Sequence, residues 1–192
     1  MALSLKKLER SLVKNFEDIR ENGATEKESA DGMANAIGEY AKDAEALVTT
    51  PFLIPGAPPI PDTSMIGKKV PVAGSDASKP ALSSAILSSY KAQDPSFTII
   101  SSGIVTYVAT FLNYATKPLI GIPATITGTT VIPPPVLTSV TAIGLGGGTI
   151  LDTLKVMAGI IHTSFMAGTV TGVGLNPQVG ATIPAPVVAK LI

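Results

Sequence analysis

The last 98 residues of this chain, 95–192, carry four charged side chains: Lys117, Lys155, Lys190 and Asp152. Residues 1–50 hold seven Lys/Arg and ten Asp/Glu, and residues 51–94 hold four and three. A soluble domain ordinarily wets its surface with interspersed charges. The second half of this chain must do so with hydroxyls, amides and backbone, or have its surface covered by other protein or by lipid. The two signs cancel, 14 against 14, so no basic excess is available to neutralise phosphates and no nucleic-acid partner is expected. Cysteine is absent, which removes disulfides, thiolate nucleophiles and thiolate metal ligands.

The charged end reads as two helices. Leu5, Leu8, Leu12, Phe16 and Ile19 recur at helical spacing between charged positions, predicting a helix over residues 4–21 closed by Asn22-Gly23. No uncharged apolar core follows a basic start, so no signal peptide is read here. The mixed signs of the polar face suit an ordinary amphipathic helix better than one lying on a membrane. Thr25 and Glu28 have the capping-box spacing, and Met33, Ile37, Tyr40, Ala44 and Leu47 predict a second helix over residues 26–48. A connection of about four residues makes the pair a hairpin.

Residues 50–79 contain six prolines. Proline fixes φ and lacks an amide donor, which excludes a sustained helix or a central strand. An extended connector is expected. Pro80 suits the first turn of a helix to residue 93, with Ser78 as its cap. Residues 97–114 predict a further helix, with Phe111 and Leu112 among its inward positions; the β-branched content keeps a strand open as the alternative. Residues 117–140 suggest short extended segments, Gly144 to Gly148 a joint, residues 150–166 a helix begun by Thr149 or Gly148, and residues 167–192 strand and loop. The fold class is therefore α+β: an N-terminal helical hairpin, then helices alternating with short strands and extended Pro/Gly-rich segments. The expected divisions are residues 1–49, a connector over 50–79, and a charge-poor body over 80–192. A helix followed by an extended segment ending in prolines recurs three times, ending at residues 54–61, 128–136 and 180–187, which suggests an internal repeat.

Catalytic signals are weak. Gly144, Gly146, Gly147 and Gly148 precede a helix, but Thr149-Ile150 stands where a phosphate loop needs Lys-Ser/Thr. His162 is the only histidine. Asp152 lies ten residues away, about 15 Å along a helix, and no serine sits in a Gly-x-Ser-x-Gly elbow. The carboxylates Glu17, Asp18, Glu21, Glu39, Asp43 and Glu45 are interleaved with Lys14, Arg20 and Lys42, the pattern of a solvated helix face. No catalytic, cofactor or metal site is expected. Residues 97–116 are twenty uncharged residues, long enough to cross a bilayer, but seven of them are Ser, Thr or Asn.

Residues 166–174 (Met-Ala-Gly-Thr-Val-Thr-Gly-Val-Gly), 123–128 (Pro-Ala-Thr-Ile-Thr-Gly) and the Ile-Pro-x-Pro-Val endings give the chain its style. Over residues 30–192 it resembles the small virion proteins of tailed bacteriophages, those of necks, tails and baseplates. The resemblance carries no functional residue across. It implies a non-enzymatic structural subunit, located in the virion, whose partners are copies of itself and other structural proteins; the closed symmetry usual for homo-oligomers makes a homo-oligomeric ring the expected packing. The segments expected to meet neighbours are apolar and Pro-rich. The first comprises Phe52, Leu53, Ile54, Pro55, Pro58, Pro59, Ile60 and Pro61. The second is Ile132, Pro133, Pro134, Pro135 and Val136, and the third Ile183, Pro184, Pro186 and Val187. The alternative is a membrane-associated or pore-forming oligomer using residues 97–116 and 150–166.

Overall fold

The computed structural model describes residues 3–54, 57–72, 76–110, 125–140, 148–175 and 185–192. Helix α1 (Leu5–Asn22) ends where Gly23 adopts a left-handed conformation, φ 65°, and its N–H reaches Ile19 O. Only glycine enters that region without penalty, which is why the chain turns there. Helix α2 (Glu26–Ala41) opens with the capping box: Thr25 Oγ1 accepts from Glu28 N at 3.3 Å and Thr25 N donates to Glu28 Oε2 at 2.7 Å. The expected hairpin is present.

Helix α2 stops seven residues short of the expected position 48. Residues Glu45–Val48 form strand β1 instead, in which Ala46 and Val48 are buried and Glu45 and Leu47 half-buried. Ala44 and Leu47 fit a helical stripe, but Ala44, Ala46 and Val48 fit the period of two equally well. Pairing on both sides decides between them, with tertiary contacts overriding local preference. The connector is also more structured than expected. It folds into a hairpin of β2 (Phe52–Ile54) and β3 (Ile60–Asp62), with a cis Ala57–Pro58 bond, and then β4 (Lys69–Pro71). The proline rule survives locally: Pro61 lies in a two-stranded hairpin and Pro71 in an edge strand.

A short 3-10 turn (Asp76–Ser78) leads into α3 (Lys79–Ala92). Ser78 makes no side-chain cap; its hydroxyl accepts from Thr110 Oγ1 at 3.0 Å. Helix α4 (Thr98–Ala109) is shorter than expected, and positions 111 and 112 lie outside the described residues. Asp94 supplies its start, accepting from Ser96 N and Ile99 N at 3.0 Å each. Strand β5 (Thr125–Val131), helix α5 (Ile150–Met166), and strands β6 (Thr169–Leu175) and β7 (Ala185–Leu191) follow. Thr149 caps α5 by a second capping box with Asp152.

Five strands form one antiparallel sheet in the order β4-β1-β7-β6-β5. Strand β7 is inserted between β1 and β6. Its pairing with β1 ends at Ala189 opposite Val48, so Pro186 lies beyond β1 and its missing donor is not needed on that side. There the ladder passes to hydroxyls: Val188 N donates to Thr50 Oγ1 at 2.8 Å, and Thr49 Oγ1 donates to Val188 O at 2.8 Å.

The helices pack in the succession α4-α3-α2-α1-α5. The proline run closes the circuit between the two outermost. Ser101 Oγ of α4 donates to Pro135 O, and Ser164 Oγ of α5 donates to Pro133 O. Three consecutive prolines offer carbonyls and no N–H, so donors must come from elsewhere. Ile132, Leu137 and Val140 flank the run and are buried. One cluster of buried side chains joins all parts: Leu8 and Leu12, Ile37 and Tyr40, Leu82 and Ile86, Ile100 and Ile104, Ile161 and Phe165, with Val70, Val48, Val170 and Leu191 from the sheet. The three expected divisions thus share a core. Of the three Pro-rich endings, the first lies in the β2–β3 hairpin and the second runs from β5 into a strap between helices; residues 185–187 of the third belong to β7, and residues 180–184 lie outside the described residues.

Candidate functional site

The expected neighbour-contacting segments divide sharply. In the first, Phe52 is wholly buried, and Leu53 and Ile54 are half-buried, whereas Pro58, Pro59, Ile60 and Pro61 are exposed at the hairpin. Pro55 lies outside the described residues. In the second, Ile132 and Pro135 are buried and Pro133, Pro134 and Val136 exposed. Phe52, Ile132 and Pro135 therefore serve this chain's own core and strap and offer no surface, a correction to the expectation. The physical reason is common to them: each sits where an apolar segment crosses the sheet or the helices, and its carbon surface is used there. In the third segment, Ile183 and Pro184 lie outside the described residues, and Pro186 and Val187 are in β7. What remains is an exposed apolar hairpin tip, with Ile60 58% accessible, and an exposed strap residue, Val136, 69% accessible.

The larger apolar surface was not singled out from the sequence. The sheet buries one face against the helices and leaves the other open. On that open face stand Thr129 and Val131 of β5, Thr169, Thr171 and Val173 of β6, and Val188 and Lys190 of β7, all exposed. One charge serves three strands. The alternation of Thr and Val with buried or small residues over 169–174 was the available signal, and it is a strand signal.

Between the strap and α5 lies an apolar groove of about 590 Å³, lined by Leu5, Pro133, Pro134, Val136, Ile160 and His162 among others. Tyr40 Oη and His162 Nδ1 are 2.7 Å apart, with the rings edge to face. Burial pushes the Tyr40 phenol well above its ordinary range and lowers the His162 imidazole. A neutral imidazole that accepts the phenol's hydrogen bond at Nδ1 carries its own proton on Nε2. Sequence could not have paired these residues, which are 122 positions apart. The adjacent hydroxyls are engaged with backbone: Thr163 Oγ1 donates to Gly159 O and Ser164 Oγ to Pro133 O. No charged group contributes to the His162 shift, so the arrangement holds an imidazole in an apolar wall.

The ionic cluster is elsewhere. Lys79 Nζ contacts Asp76 at 2.9 Å and Glu39 at 3.2 Å, while Lys42 contacts Glu39 at 2.7 Å and Asp76 at 3.5 Å. Two cations meet two anions, so the cluster has no surplus charge to offer a ligand. Burial disfavours the Lys79 ammonium, but its bonds to Asp76 and Glu39 outweigh that and leave its pKa raised. Among the described residues no group of three His, Asp or Glu side chains could hold a metal ion, and no helix is long and apolar enough to cross a membrane. Helix α4 spans 12 residues, about 18 Å, against a hydrocarbon core of about 30 Å. Compared with known proteins, the chain matches no family model, no curated protein and no solved structure.

Proposed function

We propose that this chain is a non-enzymatic structural subunit of a large protein assembly, a virion component of a tailed phage such as a neck, tail or baseplate protein. One observation carries the assembly reading: the open face of the sheet presents Thr and Val over three strands with Lys190 its only charge there. Such a face is poor at repelling other molecules and rich in carbon surface, the character of an interface core. The hairpin tip at Ile60 and the strap at Val136 are further exposed apolar surface elsewhere on the chain. Burial of each yields about 25 cal/mol per Å² of apolar area. The phage assignment rests on the resemblance in sequence style, and the ring on the usual closure of symmetric homo-oligomers.

Light scattering on the purified chain tests this reading. The expected result is a discrete oligomer in plain buffer, unchanged by mild detergent, with ring-shaped particles in negative-stain images. A monodisperse 19.6 kDa monomer at every concentration overturns it. Aggregates dissolved only by detergent replace it with a lipid-facing role.

A further inference from the structure

We infer that β5 is the edge through which two copies of this chain join, antiparallel and side by side, extending the five-stranded sheet across the contact. The inference rests on the assembly reading for its partner, a second copy, and names the surface.

The two edges of the sheet are built differently. At one edge, β4 is three residues long, contains Lys69 and Pro71, and follows Lys68. Short length, lysine and proline are the devices by which sheets refuse further strands. At the other edge, β5 is seven residues long, Thr-Ile-Thr-Gly-Thr-Thr-Val, with no charge and no proline. Its pairing with β6 runs through seven consecutive one-to-one partners without a bulge, from Thr125 opposite Leu175 to Val131 opposite Thr169. Among the described residues no other strand lies beside it, and no backbone hydrogen bond outside the β6 ladder involves it. An uncharged, unbroken row of N–H and C=O groups is a template for another strand.

A second copy fits that template. Taken about Gly128, the strand has threonine on each side, so antiparallel self-pairing sets Thr127 opposite Thr129, a favourable cross-strand pair, and places no like charges together. A two-fold axis makes one strand supply both halves of the contact. Exposed Val131, 56% accessible, lies near the margin of the same contact. The strand carries no charge by which to select a foreign partner, whereas its own copy is always present at equal concentration.

Position 129 is exposed and lies next to the two-fold centre, which provides the test. The variants T129K and T129E are measured by analytical ultracentrifugation, alone and mixed in equal amounts, with circular dichroism to confirm that each is folded. Each variant alone is expected to self-associate about tenfold more weakly than the parent, and the mixture to recover parental association. The recovery is specific to a site diagonally across the contact from its own symmetry mate, within reach of long side chains, and is not produced by a folding defect. Larger parental oligomers indifferent to both variants overturn the β5 contact while leaving the assembly reading standing. Weakening without recovery on mixing also overturns it. A parent that is monomeric at every concentration overturns both.

Discussion

Thr130 is wholly buried on the inner face of β5, and its hydroxyl has no hydrogen-bond partner. A buried hydroxyl without a partner loses its water and gains nothing in return. Replacement by valine keeps the shape and the β-branch that suits a strand. T130V is therefore expected to raise stability by about 1 kcal/mol, read from the urea midpoint at unchanged slope. His162 gives the opposite kind of residue effect. Burial lowers its pKa in the fold, so the unfolded chain holds the proton more tightly. Stability is complete above the unfolded value of about 6.5 and falls as pH drops through it, because the unfolded state then binds more protons. As His162 is the only histidine, thermal melts from pH 7 to pH 5 should show that fall in the parent. H162Q, which retains an acceptor for Tyr40, should not show it.

The elements show where local signals suffice. The capping box of Thr25 and Glu28 was legible as Thr with an acid three residues on, because capping is a contact between neighbours in sequence. The same pattern at Thr149 and Asp152 was there to be read, but the sequence expectation for that helix start stood open between Thr149 and Gly148. The ends of α2 and α4 were not legible. Their hydrophobic spacing continues past the last helical turn, and only the pairing of β1 with β4 and β7 explains why α2 yields at Ala41. The strap was legible as extended and missed as a tie, since its acceptors are met by serines 31 and 34 residues away. The junction of α5 with β6 depends on a close approach of the same kind. At Gly168 an added methyl group would lie 2.6 Å from Leu191 Cδ1, 2.8 Å from Ile132 Cγ2 and 2.9 Å from Phe165 O. The backbone oxygen cannot turn aside as a side chain can. G168A is expected to cost about 1–3 kcal/mol, measured by denaturant unfolding, with the helical circular dichroism at low denaturant retained.

At the scale of the whole molecule, the concentration of charge in the first half has a plain structural counterpart. The ionic side chains of α1, α2 and the start of α3 serve one flank, among them the pairs Lys7 with Asp43 and Lys79 with Glu39. Over β5, β6 and β7 the sheet's open face keeps Lys190 as its one charge beside threonine and valine, and the strap groove is lined by carbon, hydroxyls and the His162 imidazole. That division was visible in residues 95–192 before any fold was known. Which segments stand at the surface was not, because Phe52 and Ile132 differ from Ile60 and Val136 only in what lies across from them. A chain organised this way has one flank rich in charge and another poor in it, and light scattering distinguishes a charge-poor flank that is covered from one that is bare.

The insertion of β7 between β1 and β6 bears on how the chain reaches this state. Ala46 pairs with Leu191, and Thr49 reaches Val188, so the middle of the sheet is stitched from segments about 140 residues apart. Helices α1 and α2 can form from neighbouring residues on the microsecond scale. The sheet cannot, since the β4-β1 pair and the β5-β6 pair remain two separate ribbons until β7 arrives between them. Entropy lost in closing so long a loop is recovered only at that last step, which places the search for the native fold among the slow, non-local ones. Until then both ribbons keep raw edges, and the order of arrival decides whether β7 or a neighbouring chain fills the gap.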